Sequence, residues 1–510
     1  MAGKLSDFRL TRRVVLAGLA AGAAWPALGE APVRSLRPVA KPATDATAGF
    51  MDAPASMKVN AASPEALIAE AKLGGEVTYV VADAKTGLIL EARGEGVPMP
   101  PASTAKAITT LYALEHLGAT HRFVTRLLVT GPVTGGRIEG DLILAGGGDP
   151  TLSTDMLGDM AAALKAAGVV GVTGRFLVWG GALPFVREID PGQPDWFGYN
   201  PSVSGLNLNF NRVHFEWKRG EGGYRVGMDA RGERFVPAVY TAKMAVAERE
   251  APLFTYSDAG RLEEWTVART ALGKGGSRWL PVRRPEAYAG DVFQTLARAQ
   301  GIELPDPEVA AAVPSGARAI VEQPSEGLPE VLRDMMKFST NLTAEVVGMA
   351  ASARLGVRDH AGSGRAMTEW LKARTGVSAA TFVDHSGLGG ASRIAASEMV
   401  QALVRLGRQA GLRGLMKEIR FKEETGKAGP VPVRVDAKTG TLNFVSALSG
   451  YITGPDGTEM AFAIFTGDVA RRDAVPEAER ERPEGGEAWV RRSKRLQQKL
   501  IERWAAVYAG

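Results

Sequence analysis

Between about residues 122 and 325 the chain is a succession of short β-like runs separated by glycine turns, among them RFVTRLLVTG, RIEGDLILAGG and GRFLVWGG. No solenoid-type period relates them. This stretch reads as one or two β-rich domains, and its flanks are built differently. Before it, Ser63 is a plausible N-cap for PEALIAEAKL. EVTYVVADAKTGLILEAR then has the pattern of a β-hairpin around a turn at Asp83 to Gly87. In STAKAITTLYALEHLG, residues Ile108, Leu111, Leu114 and Leu117 recur at helical spacing, and Gly118 ends the run. After it, LPEVLRDMMKF and NLTAEVVGMAASARLG read as helices, and VPVRVDAKTGTLNFVSALSGYITGPDGTEMAFAIFTG as antiparallel strands. A last helix from about Glu487 lines Trp489, Ser493, Leu496, Leu500, Trp504 and Val507 along one face. Helical flanks around a β-rich middle make the chain α+β.

Composition removes whole classes of chemistry. The 510 residues include no cysteine, which excludes thiol nucleophiles, iron–sulfur sites and zinc ribbons. The five histidines, His116, His121, His214, His360 and His385, form no HExxH pair, so no histidine metal site is expected. The net charge of +5 is partly an address. Residues 1–29 hold Lys4, Arg9, Arg12 and Arg13 against Asp7, so more than half of it lies there. The balanced remainder is not the clustered basic surface of a nucleic-acid binder.

Thr11-Arg12-Arg13 precedes an apolar run, Val14 to Ala24, of about eleven residues, too short for a membrane anchor and suited to a signal segment. Ala27-Leu28-Gly29 offers small residues for cleavage after Gly29. The paired arginines predict twin-arginine export to the periplasm, with a general secretory signal that happens to hold two arginines as the alternative. Residues 30–62, rich in Ala and Pro, read as a disordered tether. No later stretch is apolar enough for a transmembrane anchor.

Three short motifs carry candidate chemistry. Ser103-Thr104-Ala105-Lys106 places a hydroxyl and an amine on one helix face. Serine needs a base to take its proton, and lysine serves only when neutral. Bringing its pKa from ~10.4 to about 7 takes roughly 4–5 kcal/mol of burial or neighbouring positive charge. Ser339-Thr340-Asn341 lies between two predicted helices and offers a second hydroxyl for proton relay beside an amide. Lys438-Thr439-Gly440, on a predicted strand, pairs a carboxylate-binding lysine with a glycine that admits close backbone approach. Asp83-Ala84-Lys85-Thr86-Gly87 repeats the letters of Asp436 to Gly440, but it falls in the hairpin turn and reads as structural. Each motif alone is weak. The consecutive residues Asp384, His385 and Ser386 do not make a triad, since neighbours do not converge their side chains on one point.

Together and in this order, S-x-x-K, S-x-N and K-T-G resemble the signature of serine beta-lactamases and penicillin-binding proteins. The blocks ASTAKAITTLYALEHLG, GDLILAGGGDPTL, YNPSVSGLNLNFNRV, KFSTNLTAEVVG, DHSGLGGASRIA and AKTGTLNFVSALSGYI resemble one group more narrowly: the low-molecular-weight D-alanyl-D-alanine carboxypeptidase/endopeptidase family. Residues 107–338 separate Lys106 from Ser339, a gap much longer than that of ordinary beta-lactamases and similar to the gap that inserted domains create in this family. The resemblance implies a penicillin-binding, transpeptidase-like domain from residues 63–121 and 326–510, with residues 122–325 inserted. It departs at His385, where the family often has Gly, at Gly389 for Ser, and at Ser392 for Asn, which puts the shape of the site rim in question.

By that resemblance, Ser103 is the nucleophile and Lys106 its base. Ser339 and Lys438 return a proton to the leaving D-alanine. Asn341 positions the peptide, and Lys438 with Thr439 holds its carboxylate. The N–H groups of Ser103 and Thr441, beside Gly440, form the oxyanion hole. Peptidoglycan stem peptides are the implied substrate and beta-lactams the implied inhibitors, with no metal or organic cofactor. The alternatives are a beta-lactamase or transpeptidase on the same fold, and a non-catalytic wall-binding module.

Overall fold

The computed structural model describes residues 61–421 and 433–509; the expected signal segment and nearly all of the expected tether lie outside these. Helix α1 (Pro64–Ala71) starts where expected: Ser63 Oγ accepts the Ala66 N–H at 3.2 Å and Pro64 occupies the first turn. Strands β1 (Glu76–Asp83) and β2 (Ile89–Arg93) form the hairpin. Asp83 Oδ1 accepts the N–H groups of Lys85 and Thr86, so the first Lys-Thr-Gly is a turn. Helix α2 (Ala105–Leu117) is buried on every side from Ala105 to Ala113, as a central helix must be.

The chain then leaves and returns at one point. Strand Val124–Val129 pairs antiparallel with Arg318–Pro324, and Phe123 and Ser325 exchange hydrogen bonds at the junction. Both strands belong to a five-stranded sheet, which with three three-stranded sheets covers a core of its own. Two helices, Thr154–Ala166 and Pro285–Ala299, pack into that core, so the stretch is less purely β than its glycine-punctuated sequence predicts. Leu157, Met160, Ala161 and Leu164 supply the helical period that the surrounding turns obscure.

Helices α3 (Leu328–Phe338), α4 (Asn341–Ala353), α5 (His360–Thr375) and α6 (Ala396–Ala402) follow. Strands β3 (Lys417–Glu418), β4 (Arg434–Leu442), β5 (Val445–Thr453) and β6 (Glu459–Gly467) then join the hairpin in one sheet, ordered β3-β4-β5-β6-β1-β2. Pairing within it is antiparallel throughout. Its two faces split by the period of two. Tyr79, Val81, Leu448, Ile452, Phe462 and Ile464 face the C-terminal helix α7 (Gly486–Tyr508), whose Trp489, Leu496, Leu500 and Trp504 cover them. Val80, Ala82, Ala447, Ala461, Ala463 and Phe465 face α2 to α6. This layering is α+β with additional sheet domains. No helix among the described residues is long and apolar enough to cross a membrane.

Candidate active site

Ser103 lies in a tight turn, Ala102–Thr104, entered through Ala102 at φ 46° and closed by Thr104 Oγ1, which donates to the Pro101 carbonyl at 2.7 Å. A non-glycine residue in that region stores roughly 1 kcal/mol or more of strain, which surrounding contacts must hold. Two do so closely. A Cβ on Gly387 would lie 1.9 Å from the Ala102 oxygen, and one on Gly440 would lie 2.9 Å from both the Pro101 oxygen and the Ser103 nitrogen. Strand β4 therefore presses its backbone against the serine turn, which requires glycine there.

Lys106, in the first turn of α2, is fully buried. Its Nζ lies 2.9 Å from Ser103 Oγ, 2.8 Å from Asn341 Oδ1 and 2.8 Å from the Ser386 carbonyl oxygen. Burial pulls its pKa down to about 7, against the opposing pull of Asp384 and Glu345. A neutral amine keeps two N–H groups and one lone pair. The amide oxygen and the carbonyl accept hydrogen only, so they take the two N–H groups and leave the lone pair to Ser103.

Ser339 ends α3 in the left-handed region, φ 59°, and its Oγ accepts from Lys438 Nζ at 2.9 Å. Lys438 also donates to the Thr439 carbonyl at 2.7 Å. Burial first, then the charge of Lys106 and of Lys417, holds Lys438 well below the ordinary lysine range. Ser103, Ser339, Asn341 and Thr441 line one cleft of about 1110 Å³, while Lys106 and Lys438 lie buried beneath it. Thr439 is exposed and is not among the lining residues.

The inserted domains supply part of the cleft wall through Asp190, Gly192, Gln193 and Tyr199. The Tyr199 carbonyl accepts Asn341 Nδ2 at 2.9 Å, so the expected substrate amide is held from both ends within the protein. Trp196 Nε1 donates to Glu481 at 2.9 Å, which fastens the same loop to the C-terminal segment. Tyr199 and Ser386 were not foreseen as site residues. Both contribute a backbone carbonyl, which every residue type carries.

Of the three departures, His385 and Ser392 lie buried beneath the rim, and Gly389 is half-buried between the cleft-lining Leu388 and Gly390. His385 is fully buried, with Nε2 2.6 Å from Ser363 Oγ and Nδ1 3.3 Å from Met367 Sδ. Ser363 and Ser352 are hydrogen-bonded at 2.7 Å, and Ser352 meets the Tyr112 hydroxyl at 2.9 Å. Ser392 Oγ and the Gly389 N–H both donate to Asp384, at 3.0 and 2.7 Å. Ser386 Oγ also reaches Asp384 at 3.2 Å, but the His385 ring points away to Ser363, so no triad forms. Room for His385 comes from Gly348 on α4, where a Cβ would sit 2.2 Å from the imidazole ring. Gly348→Ala should therefore destabilise the protein by about 1–3 kcal/mol, although alanine is ordinarily the better helix former by about 1 kcal/mol. Urea unfolding measures this; an equal loss in a His385→Ala background would show that the ring is not the obstacle.

For a metal, the described residues offer one cluster, His214, Glu216 and Asp229 in the insertion, with potential ligand atoms within 4.8 Å of one another. Both carboxylates already pair with Arg231, at 3.0 and 2.9 Å.

Hydroxyls paired with lysines that burial drives toward neutrality provide nucleophile chemistry without thiol or metal. On this sheet-and-helix frame they belong to the serine hydrolases of the penicillin-binding fold. Residues 61–482 match the model of the D-Ala-D-Ala carboxypeptidase 3 (S13) family, and the chain belongs to that family. It is 29% identical over 439 residues to the D-alanyl-D-alanine carboxypeptidase of Actinomadura sp. (strain R39), covering 78% of this chain and 79% of that one. It is 24% identical over 423 residues to the D-alanyl-D-alanine carboxypeptidase DacB of Haemophilus influenzae, covering 78% and 87%. The crystal structure of penicillin binding protein 4 (dacB) from Haemophilus influenzae has the same fold, with a TM-score of 0.69 at 20% identity over 86% of this chain and 99% of that chain.

Proposed function

We propose that this protein is an exported, periplasmic D-alanyl-D-alanine carboxypeptidase and endopeptidase that cleaves peptidoglycan stem peptides through an acyl-enzyme on Ser103. The observation that carries the reading is the environment of Lys106, whose lone pair is left facing the Ser103 hydroxyl. Lys106 takes the Ser103 proton as Oγ attacks the penultimate D-alanine carbonyl. The N–H groups of Ser103 and Thr441 receive the oxyanion; losing one such donor typically costs ~3–4 kcal/mol. Ser339, hydrogen-bonded to Lys438, passes a proton to the departing D-alanine, whose carboxylate Lys438 receives; the exposed Thr439, outside the cleft lining, takes no part in this. Water then frees the acyl group. Beta-lactams, as mimics of the acyl-D-Ala-D-Ala end, acylate the same serine.

In this reading residues 63–121 and 326–510 are one discontinuous catalytic domain, and residues 122–325 are its insertion. The cleft volume exceeds the roughly 300–1,000 Å³ of an ordinary small-molecule pocket. It leaves room for a stem peptide and, in endopeptidase action, for part of its cross-linked neighbour. Export rests on Arg12, Arg13 and the apolar run behind them.

The test is digestion of purified muropeptides followed by mass analysis. Loss of one terminal D-alanine from pentapeptides is expected, with cleavage of cross-linked dimers. Binding to wall material with neither product would overturn the assignment.

A further inference from the structure

The third partner of Lys106 is a backbone carbonyl, and the segment that carries it is held from behind. The Ser386 N–H donates to Glu345 Oε1 at 2.8 Å and the His385 N–H to Oε2 at 3.1 Å. Glu345 follows Asn341 by four residues on α4, so both project from the same helix face. One turn of helix thus sets the amide oxygen that takes one Lys106 hydrogen and the carboxylate that anchors the group taking the other. Glu345 is fully buried, and Oε2 also meets His360 Nε2, at the start of α5, at 2.9 Å. A buried carboxylate is costly unless it is paired and hydrogen-bonded. Beneath a catalytic lysine, such a charge has an electrostatic consequence as well as a structural one.

We infer that Glu345 is a positioning residue for the general base: it fixes the Ser386 carbonyl that takes a Lys106 hydrogen, and with His360 it sets the negative charge that Lys106 faces. The inference rests on the reading of Lys106 as the base.

The charged and titratable groups around the pair are few. Lys106 faces Asp384 and Glu345, and its charge is felt by Lys438. Glu345 faces His360, His385 and Asp384. His360 also faces Asp384 and Asp359. Burial pushes His385 down to about 4, which leaves it neutral at working pH. Burial, then the Glu345 charge, pushes Asp384 up to about 6. Burial opposes ionisation of both Glu345 and His360, but their mutual attraction outweighs it: the carboxylate lies below its ordinary range and the imidazole above. The signs follow. The Glu345 charge favours the Lys106 ammonium, and the His360 charge offsets Glu345.

The experiment is the pH dependence of the second-order rate constant for acylation by a fluorescent penicillin, measured on the mature protein. In the wild type the acid limb should fall near pH 7, activity being lost as Lys106 gains its proton. Glu345→Gln keeps an acceptor for the Ser386 N–H and removes the charge; its limb should move to lower pH by about half a unit or more. His360→Gln leaves Glu345 uncompensated, so its limb should move to higher pH. The double variant should behave as Glu345→Gln, because His360 acts through Glu345. Unmoved limbs in both single variants, with only a lower melting temperature, overturn the inference and leave the base assignment standing. A wild-type profile without an acid limb overturns the base assignment and the inference with it. Should Glu345→Gln not fold, His360→Gln alone decides: an upward shift supports the inference and an unmoved limb overturns it.

Discussion

Ser103→Ala is expected to take no label from a fluorescent penicillin and to release no D-alanine above background, a fall of about 10⁴-fold or more. The size follows from the absence of a substitute hydroxyl. Ser339 Oγ is engaged by Lys438, and Ser386 Oγ is turned to Asp384. Neither occupies the position 2.9 Å from Lys106 Nζ. The fold should be indifferent to the change. Among the described residues the Ser103 side chain is bonded only to Lys106, and the turn that carries it is closed by Thr104 and by the fit against Gly387 and Gly440. The melting temperature should therefore stay close to that of the wild type. A Ser103→Ala protein that still labels would remove the serine from the mechanism.

Lys106→Met should separate activity from stability in the opposite sense to most core substitutions. Methionine fills similar volume and removes a group that burial penalises when charged. The cost is two acceptors deprived of their donor, Asn341 Oδ1 and the Ser386 carbonyl, at about 1–3 kcal/mol each. Asn341 keeps its bond to the Tyr199 carbonyl. The opposing effects leave a net stability change within about 2 kcal/mol. Acylation should nevertheless fall by about 10³-fold or more, because among the described residues no other base is hydrogen-bonded to Ser103. Denaturant unfolding and the acylation rate, measured on one preparation, check both halves. Acylation above a hundredth of the wild-type rate would sink Lys106 as the base.

Several elements were legible because local chemistry dictates them. Ser63 caps α1, Asp83 closes the hairpin turn, and Gly118 ends α2 at φ 82°. The buried stripe of α7 runs through Trp489, Ser493, Leu496, Leu500 and Trp504, as its spacing predicts, with Ser493 paired to Thr466 at 2.7 Å. Helices Thr154–Ala166 and Pro285–Ala299 were not legible, since short strands and glycine turns around them mask the longer period. Glu345 offered a faint signal, one helical turn beyond Asn341, but a glutamate in a helix is ordinarily a solvated one.

By itself, the sequence determined the inventory and its order: a cysteine-free chain with one S-x-x-K, one S-x-N and a strand-borne K-T-G, split by a long β-rich stretch. Those are properties of residue types and local spacing. The tertiary structure alone decided what Lys106 touches, since its partners Asn341 and Ser386 lie 235 and 280 residues away. It also decided that Tyr199, from the insertion, and Glu345 with His360, from beneath, complete that environment. The physical reason is that burial and backbone carbonyls have no residue letter. They arise only when distant segments close over a charge.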